Sequence, residues 1–200
     1  LALDPTLLMS VLVRHETGLH LLASDYDGLR DASVPPDKIG RLCKLAQSLF
    51  PMVVVDCGTV LNSAVNMALT SATTILLVMT IEVPSMRRAV RMMEALNTLG
   101  YGRERVILVL NRSRREDQGL QAEAEVLLGQ PLAVSIPDVP EDAREALETG
   151  RALCAGRSEG AVVRAYERLA ALVMDPAQAP ALQPPSWGAR WMQRLWRDAA

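Results

Sequence analysis

Lysine is nearly absent from this chain: of 21 basic residues, only Lys38 and Lys44 are lysines and nineteen are arginines. A phosphate-cradling loop of the form G-x-x-x-x-G-K-[ST] needs a lysine directly after glycine. Lys38 follows Asp37 and Lys44 follows Cys43, so these 200 residues contain no such loop. Aromatics are also scarce, with three Trp, three Tyr and one Phe. Half the residues are apolar, so the core must be aliphatic. Cys43, Cys57 and Cys154 show no C-x-x-C spacing, which argues for reduced thiols rather than a disulfide framework or a zinc site. His15 and His20 lack acidic or cysteine companions at ligand spacing and read as ordinary histidines. No apolar run reaches the roughly 18 residues of a membrane-spanning helix. The first residues given, Leu1-Ala2-Leu3, carry no basic n-region. The net charge of −2 excludes a generally basic nucleic-acid binder.

What is present fits one compact domain plus an appendage. The opening Leu1-Ala2-Leu3 lies in mid-pattern and predicts that the chain starts inside a longer protein. Short apolar runs then alternate with helical patterns. Leu19–Ala23, Met52–Val55, Ile75–Met79, Val106–Leu110 and Leu132–Ile136 are the candidate strands. Met52–Val55 is continuously apolar, as expected of a strand covered on both faces. Residues 37–49, 84–99, 141–149 and 159–173 carry apolar residues at helical spacing. Strands separated by single helices predict an α/β fold with a mostly parallel sheet and right-handed crossovers. The uncharged stretch 176–186 holds four prolines and reads as a linker. The expected division is therefore a body over 1–174, a linker over 175–186 and a terminal element over 187–200.

In open parallel sheets, ligands sit at the carboxyl ends of the strands. The residues there are Asp56-Cys57-Gly58, Thr80-Ile81-Glu82, Asn111-Arg112 and Pro137-Asp138. An aspartate ending an apolar strand can hold magnesium or orient water; it can equally cap the following helix. Asn111 can hydrogen-bond a purine edge or make a turn. A phosphoacceptor receiver domain would use Asp56 and Thr80. It also needs a lysine where Asn111 stands, and an acidic pair after the first strand, so it is rejected.

Three stretches carry a resemblance: "VVVVDCGTVLNSAVNMALTSATTILLVMTIEVPSMRRAVRMMEALNTLG", "RVILVLNRS" and "LAVSIPDVPEDAREALETGRAL". Together with "LDPTLLMSVLVRHETGLHLLAS", they resemble the MinD/ParA-type ATPases, most of all the CpaE/TadZ branch associated with Flp/Tad pilus assembly. The resemblance covers residues 3–174. It implies ATP and Mg2+ as cofactors, with Asp56 catalytic and near the metal through water. It further implies that Gly58 approaches the γ-phosphate, Asn111 reads adenine with Arg112 beside it, and Pro137-Asp138 close over the base. Thr80, Glu82 and Pro84 match a "T-P-E-x-P" loop in which Ile81 replaces the usual proline. Cys57 also departs from the usual switch segment. The family's P-loop lies upstream of the matching region. An intact upstream loop predicts an ATPase that dimerises around nucleotide; without one, the protein is a nucleotide-independent scaffold.

All three tryptophans lie in the terminal element. At about 100° per residue, Trp187, Trp191, Met192, Leu195 and Trp196 share one half of a helix, and Arg190, Arg194 and Arg197 the other. Three arginines against Asp198 give this element +2, while the remainder carries 18 basic and 22 acidic residues, or −4. Indoles beside arginines suit an anionic membrane surface; packing on a partner, or disorder, is the plainer alternative. The resulting expectation is a cytoplasmic homodimer, peripheral on the inner membrane face, working with pilus or secretion assembly proteins. A DNA-segregation role resting on Arg112, Arg114 and Arg115 is the weakest reading, because the body is acidic.

Overall fold

A computed structural model describes residues 3–23, 34–154 and 160–175. The linker and the Trp/Arg element therefore lie outside the described residues. The chain divides into two units, Leu1–Thr73 and Thr74–Ala200.

The first unit opens with α1 (Pro5–Val11), where Pro5 sits in the first turn and the Asp4 carboxylate accepts the Leu7 N–H at 2.8 Å. A proline whose missing N–H is not needed there and an acidic N-cap together start the helix. A small antiparallel hairpin pairs β1 (Val13–Arg14) with β2 (His20–Leu21). The apolar run 19–23 is thus a hairpin arm and not a parallel-sheet strand. Next come α2 (Pro36–Leu49) and α3 (Ser63–Ser71), which pack together. Gly40 of α2 makes that approach possible: a Cβ there would sit 2.9 Å from Met67 Cγ.

Met52–Val55 forms no strand. Val54 is 81% exposed and Val55 49%. Extended backbone becomes a strand only when a neighbour supplies its hydrogen bonds, and none pairs with this segment among the described residues. The apolar pattern is present; a partner strand among the described residues is not.

The second unit holds the expected parallel sheet, in the order β3 (Ile75–Met79), β4 (Val106–Ser113), β5 (Leu132–Pro137). Ile75 pairs with Val106 and Met79 with Leu110 in an unbroken register. β4 is central, and Leu108, Val109 and Leu110 are fully buried. Ile107 and Val109 join Ala133, Ile136, Val162, Val163 and Leu172 in one cluster, which brings in α7 (Ala161–Met174). Leu108 and Leu110 alternate to the opposite face. On that side α4 (Val83–Thr98) packs on β3 and on α5 (Gln118–Leu128), contributing Met86, Ala89, Met93 and Leu96. Gly129 in left-handed conformation ends α5, and α6 (Pro140–Thr149) follows β5. The helices read from sequence over 37–49, 84–99, 141–149 and 159–173 match α2, α4, α6 and α7. Sequence periodicity did not reveal α1, α3 and α5.

Candidate nucleotide-binding edge

Because β3, β4 and β5 run parallel, their carboxyl ends lie along one edge of the sheet. Thr80–Glu82, Asn111–Arg114 and Pro137–Asp138 are carried there by the three strands. Asn111 and Arg112 do not follow β4, as the sequence suggested, but lie within it. Leu110 pairs with Ser135 and Ser113 with Pro137, so β4 carries one more residue than β5 over this stretch. That excess makes a bulge, a device that re-aims side chains at a sheet's rim. Arg112 takes φ +55°, left-handed for a non-glycine residue, which costs about 1–2 kcal/mol. Its N–H donates to Asn111 Oδ1 at 3.0 Å, so the Asn111 amide NH2 is the donor available to a ligand.

The loop after β5 is tied to the end of β4. The Asp138 N–H donates to the Ser113 carbonyl at 3.0 Å. Asp138 Oδ2 accepts from Arg114 Nε at 3.0 Å and from Nη2 at 2.9 Å. The Asp138 carboxylate, by hydrogen bond first and charge second, keeps Arg114 more firmly protonated than usual. The Arg114 N–H in turn donates to buried Asp117 at 2.8 Å. Sequence reading placed Arg114 in a basic surface trio and missed this clamp. Its partner lies 24 residues away, at a distance where local pattern carries no signal.

On the β3 side, Ser85 Oγ accepts the Thr80 N–H at 3.0 Å. The Thr80 hydroxyl, the backbone N–H of Glu82 itself, and then Arg112 and Arg114 hold the Glu82 carboxyl below its ordinary range. The edge therefore alternates an acid (Glu82), two cations (Arg112, Arg114) and a second acid (Asp138).

Asp56 and Gly58 belong to the first unit, where they form a single turn. Asp56 Oδ1 accepts the Gly58 N–H at 2.9 Å, and Gly58 has φ +62°. This is the local aspartate turn that glycine's freedom permits. The Cys57 thiol between them is pushed up by burial, then by Asp56 and Cys43, so it stays protonated at neutral pH. His15 Nδ1 lies 2.8 Å from Thr17 Oγ1, and the His20 ring packs beside Phe50. Among the described residues, no three His, Cys, Asp or Glu side chains group as metal ligands.

No protein-family profile matches the chain, and no curated protein matches it. Solved structures do match. A ParA family ATPase from Chlorobium tepidum TLS superposes with a TM-score of 0.76 at 21% identity, over 84% of this chain and 70% of that one. The MinD cell division protein of Aquifex aeolicus gives 0.68 at 18% identity, over 91% and 78%. A septum site-determining protein MinD from Pyrococcus horikoshii OT3, complexed with Mg-ADP, gives 0.67 at 21%, over 86% and 70%. The fold is that of the ParA/MinD ATPases. At these identities, the likeness is one of fold.

Proposed function

We propose that this chain is part of a CpaE/TadZ-like ATPase that positions or assembles a pilus or secretion machine at the membrane, cycling through ATP-dependent dimerisation. One observation carries the reading. On a ParA/MinD fold, the bulged end of β4 and the clamped loop after β5 bring Asn111, Arg112, Pro137 and Asp138 to the carboxyl-end edge of the sheet, the side on which open parallel sheets take ligands. These groups suit the base end of a nucleotide: the Asn111 amide offers two donors, and Arg114 fixes the loop that closes over the ring.

The phosphate end fits less well. The chain has no lysine after glycine, and Asp56 is the one acid put forward for Mg2+. A magnesium ion can be held by a single carboxylate together with nucleotide phosphates and waters, but the sequence has no glycine–lysine loop to cradle those phosphates. Hydrolysis is therefore not assigned to these 200 residues. That same shortfall, with Asp56 engaged in a turn, supports a second reading: a non-catalytic localisation scaffold on a degenerate ATPase fold. A DNA-segregation role is weakened, since Asp138 engages one member of the Arg112, Arg114 and Arg115 trio. No helix among the described residues is long and apolar enough to cross a membrane. On this reading, attachment falls to Trp187, Trp191, Met192, Leu195 and Trp196 with Arg190, Arg194 and Arg197.

The test uses residues 1–200 with a fluorescent ATP analogue, alongside a phosphate-release assay. The expected result is weak base-dependent binding, reduced by Asn111→Ala, with no turnover. Absence of binding sinks the ATPase reading in favour of the scaffold, while turnover refutes the account of the phosphate end. Sedimentation with anionic vesicles, with and without residues 187–200, checks the attachment; equal binding removes it.

A further inference from the structure

The Asn111 amide oxygen is already engaged within the chain. Oδ1 accepts the Arg112 N–H at 3.0 Å, and that backbone donor fixes which end of the amide is which. What remains for a ligand is an NH2 with two donors. An asparagine that reads adenine alone uses both ends of its amide, donating to N7 and accepting from the N6 amine. A base N–H added at Oδ1 would have to share that oxygen with Arg112, so the N6 amine calls for another acceptor.

Two carboxylates stand at this edge. Glu82 is exposed on the β3 side, where the Thr80 hydroxyl and its own backbone N–H already bond it. Asp138 differs on both counts. Its side chain is only 16% exposed, and its backbone N–H is tied to the Ser113 carbonyl. Arg114 Nε and Nη2 both donate to Oδ2, which leaves Oδ1 with no hydrogen bond among the described residues. A largely shielded carboxylate oxygen is costly to leave unbonded, and it accepts but cannot donate. We infer that Asp138 is the residue that selects the base: its Oδ1 accepts from the N6 amine of adenine while the Asn111 NH2 donates to the neighbouring N7. Arg114 acts through Asp138 as a positioning residue, holding the other carboxylate oxygen and leaving Oδ1 for the base. The assignment rests on the nucleotide reading of this edge and adds the group that tells a 6-amino purine from a 6-oxo purine. A 6-oxo group turns lone pairs toward Oδ1, and two facing acceptors repel.

Inosine triphosphate (ITP) carries oxygen in place of the 6-amino group and keeps N7, so it isolates this contact. The test is displacement of a fluorescent ATP analogue from the full 200-residue chain by ATP and by ITP. Wild type should bind ATP about tenfold or more tightly than ITP, as expected of a hydrogen bond to a charged group. Asp138→Asn keeps the shape but can donate to a 6-oxo group, and should erase or reverse the preference while ITP still binds. Arg114→Ala should shrink the preference with ITP binding retained. Asn111→Ala should weaken both nucleotides alike, because N7 is common to them. Equal binding of ATP and ITP by wild type overturns the assignment and leaves the nucleotide reading standing. Binding of neither sinks that reading, and the assignment with it. A proportional loss of both nucleotides in Asp138→Asn would make Asp138 merely structural, and a preference abolished by Glu82→Gln instead would move the acceptor to the β3 side; either result refutes the proposal. Should Asp138→Asn fail to fold, the wild-type ratio of ATP to ITP decides.

Discussion

Val53-Val54-Val55 and Val106–Leu110 have the same character in sequence and opposite fates in structure. In the second unit, Leu108, Val109 and Leu110 are completely buried between β3, β5 and two helical layers. In the first, Val54 is 81% exposed and pairs with no strand among the described residues. The core of the first unit is correspondingly thin. Leu8, Cys43, Ala68 and Leu69 are buried there, while Met9, Val11, Val13, Leu19 and Leu21 are each about half exposed or more. The contrast teaches that an apolar run specifies a strand only together with the neighbours that take up its hydrogen bonds and cover its faces. Composition alone does not distinguish the two runs.

The largest effect that can break this comparison is a truncation made in each run. Leu108→Ala removes a side chain with no exposed surface, and should cost about 3–5 kcal/mol as lost burial and residual cavity add. Val54→Ala should change stability by less than about 0.5 kcal/mol, as at an ordinary surface position. Denaturant unfolding of both variants reads the difference. Amide hydrogen exchange gives a second readout, with Leu108–Leu110 among the slowest amides and Val53–Val55 among the fastest. Comparable losses from both substitutions would show that 52–55 is a buried strand after all.

The parts of the fold that could be read in advance were those whose cause is local. α2, α4, α6 and α7 have an amphipathic period, and α4 has a proline in its first turn. The strands of the second unit were visible as β-branched runs. α3 was missed because its nine residues, Ser63–Ser71, include Ser, Thr and Asn and show weak periodicity. At the site, the strand-end rule pointed to Asn111, Arg112, Pro137 and Asp138; the parallel strands carry all four to one edge, with Asn111, Arg112 and Pro137 inside their strands rather than after them. Two features stayed hidden. The bulge at Asn111-Arg112 depends on the register of β5 against β4, and the Arg114–Asp138 clamp joins residues from two different loops. Asp56 shows the opposite failure: its strand-end position was inferred from a strand that does not form.

The bulge offers the next test, of intermediate size. Replacing a strand residue by glycine ordinarily destabilises by about 0.5–1 kcal/mol. At Arg112 the sign should reverse. The left-handed backbone costs a non-glycine residue about 1–2 kcal/mol, and glycine removes that cost while adding freedom to the unfolded chain. Arg112→Gly should therefore stabilise by about 0.5 kcal/mol, whereas Arg112→Ala keeps the strained backbone and should not. Both variants lose the guanidinium, so on the proposed nucleotide reading analogue binding should fall equally in the two. Destabilisation by Arg112→Gly of more than about 1 kcal/mol would mean that the backbone is not strained there and that the bulge needs another explanation. Thermal melts of the three proteins are sufficient to decide.

Glu82 gives the smallest effect and the finest comparison, because it probes the same edge through charge alone. Its carboxyl is held below the ordinary range by Thr80, by its own backbone N–H, and by Arg112 and Arg114. A lowered folded-state value means that the ionised form is favoured by folding, so its contribution is fully present above the unfolded value of about 4.3. It is lost as pH falls through the lower folded value. Wild type should therefore exceed Glu82→Gln slightly in melting temperature at pH 7, and the two curves should converge in acid. The gap stays small because Glu82 is solvent-exposed and its partners are screened. In high salt the Arg112 and Arg114 contribution should shrink while the Thr80 hydrogen bond persists. A gap that vanishes completely at high salt would assign the shift to the arginines and demote the Thr80 hydrogen bond from first cause to last. A gap that ignores salt would leave Thr80 as its source and make the cations of the bulge bystanders to this carboxylate.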